Sequence, residues 1–163
     1  MKKNYFNFKS KKGFMVLEIL IAASIITMTI LASSSITQKS IAISRQSIHA
    51  AQASFLLEEG AEAVRVYRDN TWSNISGMTV GSEYYPEFSG GTWTFSTTPS
   101  TIDIFTRKVV VANVNRDATS NDIVTSGGVY DSGTKLFTVT VLWEENGQTI
   151  TKTLSFYLAD IFS

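Results

Sequence analysis

The segment Lys11–Ile36, KKGFMVLEILIAASIITMTILASSSI, decides how the rest of the chain is organised. Phe14 to Ala32 is a run of 19 residues, all apolar or small apart from one acid. A run of that length can cross a bilayer as a helix. The acid is Glu18, and an unpaired carboxylate in such a run costs roughly 2 to 3 kcal/mol or more near mid-membrane. No basic residue follows until Lys39, so the run offers no partner of its own. Either the carboxylate has no partner, or the partner belongs to another molecule.

Working outward, the charge distribution sets an orientation. The chain is formally neutral, but residues 1–13 contain five lysines and no acid, which leaves −5 for residues 14–163. A basic end directly before an apolar span is retained in the cytoplasm, so everything beyond about Ser35 is expected outside. An acidic exported part has no general electrostatic attraction for nucleic acid or anionic lipid.

The chain has no cysteine and a single histidine, His49. Disulfides, thiolate nucleophiles and sulfur-ligated metals are therefore excluded, and His-rich zinc sites and a Ser-His-Asp triad find no support. No nucleophile–base constellation stands out, so catalysis is not expected of this chain. With 12% aromatic residues and a β-branched second half, the composition is that of a folded domain.

Helical periodicity continues past the apolar run. Ile41, Ile48 and Phe55 recur every seven residues beside Ile43, Ala50, Leu57 and Val64, which predicts one apolar face packed on a domain. No proline precedes Pro86, so a helix from Phe14 to about Arg68, roughly 80 Å long, is expected. Gly60 and Ser33–Ser35 are its weak points. The tract Asp69–Gly77 ends it with turn formers.

Strands are predicted over 92–97, 102–113, 135–143 and 149–158. In the third, Phe137, Val139, Val141 and Trp143 share a face. In the fourth, Ile150, Leu154, Phe156 and Leu158 do. Asn146-Gly147 predicts a tight antiparallel hairpin between these two. Residues 115–134 read as a long loop. The expected fold class is α+β: a long N-terminal helix whose second half packs on an antiparallel sheet of about four strands.

Three readings of the N-terminus compete. A secretory signal peptide explains the basic start and the small residues near Leu31-Ala32-Ser33, and a plain anchor explains the length. Neither explains Glu18. The third reading is a resemblance: Lys11-Lys12-Gly13, Phe14 and Glu18 are similar to the N-terminal signature of type IV pilins and pseudopilins. That signature is a basic leader ending in glycine, an aromatic first mature residue, and glutamate at the fifth mature position.

The resemblance implies cleavage between Gly13 and Phe14 by a prepilin peptidase and N-methylation of Phe14. It further implies a role for Glu18 in filament assembly, opposite the new N-terminal ammonium of a neighbouring subunit. The partners it implies are the peptidase and methylase, other pilin subunits in a helical filament, and an inner-membrane assembly platform. The protein would wait as a single-pass protein of the cytoplasmic membrane and end in an extracellular pilus or pseudopilus.

The domain organisation follows: leader 1–13, transmembrane assembly helix 14–35, amphipathic helix 36–70, and a β-rich extracytoplasmic domain 71–163. Leu56–Trp72, Val109–Ala118, Asp122–Gly128 and the C-terminal strands resemble minor-pilin-like proteins more loosely. Unlike many major pilins, the chain has Met15 where they have threonine, no proline in the span and no C-terminal disulfide. The missing cysteines tilt the resemblance toward a minor pilin or pseudopilin.

Other candidate sites carry less. Asp117, Asp122 and Asp131, with Asn115 and Asn121, are candidate calcium ligands, although their spacing fits no EF-hand and such residues are common in turns. No other cofactor is expected. Glu58, Glu59, Glu62 and Arg65 form a helical charge set. His49 reads as a partly exposed helix residue, and Trp72, Trp93 and Trp143 as core or core edge. A second function class is a pilus-tip module that binds DNA or a surface, for which an exposed cluster of Arg107, Lys108 and Arg116, or the Tyr84-Tyr85 pair, would be the contact. A third is a membrane-anchored exported domain of other function.

Overall fold

The structure is a computed structural model that describes residues 12–161, with side chains from Met15 onward. Helix α1 spans Lys12–Asn70 without a break, and a short α2 covers Trp72–Ser76. Strands follow as β1 (Glu83–Ser89), β2 (Thr92–Ser96), β3 (Thr101–Ile102), β4 (Phe105–Arg116), β5 (Ile123–Val124), β6 (Val129–Glu145) and β7 (Gln148–Ala159). The chain divides into two compact units, Met1–Gln46 and Ser47–Ser163.

The first unit, over its described residues, is helix alone. The triple serine does not interrupt it, because Ser35 Oγ donates to Leu31 O and Thr37 Oγ1 to Ser33 O, each 3.0 Å. Hydroxyls bonded back to the preceding turn stay compatible with the helical ladder.

The second unit is α+β. Its antiparallel sheet has the order β2-β1-β4-β6-β7, with β3 and β5 also pairing with β4. The sheet therefore has seven strands, not about four. β1 escapes the sequence pattern because Pro86 sits inside it, and proline normally marks an edge or an interruption. β1 pairs with β4 only at Glu83 and Tyr84, so the missing N–H of Pro86 costs no ladder bond there. The predicted strand 102–113 is shortened at its start by a tight turn at Asp103, where φ is 55°.

Half of the expected loop 115–134 is strand. β4 runs on to Arg116, β6 begins at Val129, and β5 lies between them. The register of β4 against β6 shifts between Asn113 and Val114. That irregularity lets Val114 turn inward after the alternation of Phe105, Arg107, Val109 and Val111. The β6–β7 hairpin is as predicted: Glu145 pairs with Gln148, and Asn146 and Gly147 both adopt positive φ. Two left-handed residues make a turn whose twist matches the strands.

The core lies between one face of α1 and the inner face of the sheet. Ala53, Leu57, Ala61 and Val64 meet Val109, Val111, Phe137, Val139 and Val141. This corrects the predicted helical face. Ile41, Ile43, Ile48 and Phe55 stay exposed, and of the two seven-residue sets only Leu57 and Val64 are buried. Within the second unit, the helix residues that pack on the sheet begin at His49 and Ala50.

Candidate functional site

Two regions carry polar groups whose placement asks for an explanation: the apolar half of α1, and the seam where α1 meets the sheet. The predicted leader residue Lys11 lies outside the described residues, as do the side chains of Lys12 and Phe14 on either side of Gly13.

From Met15 to Leu31 every large apolar side chain is more than half exposed. One helix is thus long and apolar enough to cross a membrane, and none of the described residues covers it. Its hydroxyls are satisfied internally: Ser24 Oγ donates to Ile21 O at 2.7 Å, Thr27 Oγ1 to Ala23 O at 2.8 Å, and Thr29 Oγ1 to Ile25 O. A hydroxyl closed onto its own helix can sit in hydrocarbon at little cost. Glu18 is different. It lies in an apolar groove with Leu17, Ile21, Ala22 and Ile25, and its carboxylate has no partner among the described residues.

At the seam, two cations from one row of the sheet reach the helix. Arg107 and Lys152 flank Val141 across β4, β6 and β7. Lys152 Nζ donates to Ala50 O at 3.0 Å and to Ser54 Oγ at 3.1 Å. Arg107 donates through Nη1 to Glu59 Oε2 at 2.7 Å and through Nη2 to Pro86 O at 3.2 Å, and it lies over the Trp93 ring. Gly60 permits this approach, because a Cβ there would lie 2.8 Å from Val139 Cγ1 and 3.1 Å from Arg107 Cδ. Higher on the helix, the His49 Nδ1 and Glu145 Oε2 atoms are 2.6 Å apart, and Trp143 Nε1 donates to the same oxygen. His49 is half-buried and edge-on to Phe105. From sequence, Glu145 reads as part of the hairpin turn, since a pairing 96 residues away leaves no local pattern.

The remaining predicted sites disperse. Arg107 is buried, Lys108 pairs with Glu83, and Arg116 pairs with Asp131, so the three form no exposed basic patch. Tyr85 is buried with its hydroxyl donating to Glu83, while Tyr84 accepts from Thr79 N. Burial and the Glu83 contact push the Tyr85 phenol up, and the Lys108 ammonium holds Glu83 down. Trp143 is buried and Trp72 packs on the core, whereas Trp93 lies at the edge beside Phe88. In the charge set, Arg65 pairs with Glu62 at the surface and Glu59 is drawn to Arg107.

Of the three loop acids, Asp117 and Asp131 line one pocket with Arg116 and Asn121, and Asp122 is not among its lining residues. Asp117 Oδ1 accepts from Ser120 N and Thr119 N, which lowers its pKa. Asp131 Oδ2 accepts from Arg116 Nε at 2.6 Å and Oδ1 from Gly133 N, and the arginine contact is the main cause of its lowered pKa. Among the described residues no three His, Cys, Asp or Glu side chains gather where a metal could sit. Carboxylates engaged in an Asx turn and on an arginine serve the loop's own structure.

No family model matches the chain, and neither a curated protein nor a solved structure is significantly similar to it.

Proposed function

We propose that the protein is a structural subunit, a minor pilin or pseudopilin, of a type IV pilus-like filament. It waits in the cytoplasmic membrane with residues 1–13 inside and the β-rich unit outside. A prepilin peptidase removes the leader after Gly13, and Phe14 is N-methylated. The helix that lipid covered is then covered by the helices of other subunits, at the inner-membrane platform where the filament grows.

Glu18 is the observation that carries this reading. Within a span whose hydroxyls are closed onto their own backbone, it is the one ionisable group, and it has no partner among the described residues. Cleavage creates a positive charge at Phe14, one helical turn away in sequence. Within one chain, the amino end of the helix already favours Glu18 modestly. A neighbouring ammonium brought into the same apolar surroundings completes the pair, and every other register leaves a buried charge unmatched. Leaving one member of such a pair unmatched costs about 3 to 5 kcal/mol.

The test is Glu18→Val in the full chain. The variant is expected in the membrane at wild-type amounts and with its leader removed, because neither step needs the carboxylate. It should be depleted from the sheared filament fraction by more than about tenfold, as each 1.4 kcal/mol lost is a factor of about ten. Incorporation at wild-type levels would remove Glu18 from the assembly role.

A further inference from the structure

The sheet order β2-β1-β4-β6-β7 ends in two open strands. β7 is 12 residues long, pairs with β6 along its whole length, and contains no proline, glycine or register shift. Edge strands are normally blunted by brevity, proline, a bulge or charge. The one charge on β7 is Lys152, and its ammonium is engaged by its own helix at Ala50 O and Ser54 Oγ. The inward side chains Ile150, Leu154 and Phe156 are only half-buried, so an apolar rim accompanies the open backbone.

Hydrogen-bond phase decides what can pair there. Glu145 and Gln148 close a two-residue turn as a bonded pair, so the even-numbered residues of β7 bond to β6. The odd-numbered ones, Thr149 to Tyr157, turn N–H and C=O to the open side and their side chains to the outer face. These groups have no backbone partner among the described residues. At the other edge, Ser89 and Thr92 close the Gly90-Gly91 turn, so Trp93 and Phe95 turn their backbone groups outward. Their side chains lie on the inner face, Trp93 against Arg107 and Phe95 against Tyr67, and both are half-buried.

The two edges are complementary in one orientation only. An antiparallel pair would set Trp93 directly opposite a β7 threonine, whose side chain points to the other face. In a parallel pair each bonding residue stands beside a non-bonding one. Trp93 and Phe95 then fall beside inward residues such as Lys152 and Leu154, and Thr94 falls beside an outer-face hydroxyl. Four antiparallel steps separate β2 from β7 in the sheet, so within one copy they run the same way.

We infer that β7 of one copy accepts β2 of the next copy as an added parallel strand. This rests on the filament-subunit reading, in which all copies enter one membrane in the same direction and so present these edges in the orientation that fits. The contact is head-to-tail and leaves a free β2 and a free β7 at its ends, so it propagates. It adds a contact between the β-rich units to the one made by the helices.

The first test is Thr153→Pro in the full chain, in its native membrane and filaments. The Thr153 N–H faces the open side, so proline removes no bond to β6. Membrane amount and leader removal are expected to match wild type. The sheared filament yield should fall by about fivefold or more, since one net hydrogen bond changes an equilibrium by roughly that factor. The absence of cysteine allows a second test. Thr94→Cys is combined in turn with Thr151→Cys, Thr153→Cys and Ser155→Cys, all on the outer face. One of these pairs is expected to give a disulfide-linked ladder under mild oxidation, while Thr94→Cys alone stays monomeric.

Wild-type filament yield from Thr153→Pro, or assembled filaments in which no cysteine pair gives a ladder, would overturn the inference and leave the filament-subunit reading standing. Should Thr153→Pro be lost from the membrane, the cysteine pairs decide. A wild-type chain that keeps its leader and never enters a filament removes that reading, and this one with it.

Discussion

Arg107 sits on the inner face of the sheet with 3% of its surface exposed, and its counter-ion Glu59 is 48% exposed. The pair is therefore lopsided, and which half is removed matters. Without Glu59, a buried guanidinium keeps only Pro86 O, a long contact to Leu56 O and the Trp93 face. Glu59→Ala is expected to cost about 2 to 4 kcal/mol, near the range for an uncompensated buried charge. Glu62→Ala, which breaks a surface pair with Arg65, should cost under about 1 kcal/mol. Urea denaturation of the two variants separates the cases, and equal losses would mean Arg107 is satisfied without Glu59. Gly60 gives a second expectation on the same seam. Alanine gains up to about 1 kcal/mol in helix propensity, but its methyl group would overlap Val139, and overpacking costs about 1 to 3 kcal/mol. We expect Gly60→Ala to lower the Tm; a raised Tm would show that the seam can open without cost.

At the scale of elements, the β4–β6 end near the register shift is held by Asp131 and Arg116, and this contact gives the fold a defined acid sensitivity. The folded pKa of Asp131 is lowered, chiefly by Arg116. Its contribution is therefore complete above the ordinary carboxylate value of 3.8 and is lost as pH falls through the lowered folded value. Asp131→Asn should lower stability at neutral pH by about 1 kcal/mol and flatten the fall in Tm below about pH 4. An unchanged acid limb would contradict the assignment. The hairpin of β6 and β7 is readable in the sequence because Asn146-Gly147 separates two clean alternations. Pro86 hides β1, and β5 is hidden because two residues form no period. The helical face misleads for a different reason. The large residues Ile41, Ile48 and Phe55 carry the most visible seven-residue repeat, whereas the face that packs sets the small residues Ala53, Gly60 and Ala61 beside Leu57 and Val64. Small residues let a helix approach a sheet closely, and they contribute little to any hydrophobic periodicity. Glu18 stands out in the sequence because a carboxylate in an apolar run has no ready structural explanation. Arg107, Lys152 and Glu145 are not, since each acts on a partner far along the chain.

For the whole molecule, the two units have opposite relations to water. The second buries a core that no disulfide supports, and closes its inner face with Phe137, Val139 and Val141 against α1. The first exposes an apolar helix that water cannot accommodate and that none of the described residues covers. If the protein is a filament subunit, as proposed, that division makes it depend on a second apolar phase, first lipid and then the helices of its own kind. In the proposed filament, assembly through Glu18 depends on the conversion of Phe14 into a charged N-terminus. The most direct test is the intact mass and N-terminal residue of the protein recovered from its native membrane. A filament subunit would begin at Phe14 and carry one added methyl group on its amine. A chain beginning near Ser33, or one still carrying Met1, would contradict that role and leave the carboxylate of Glu18 without a counter-charge.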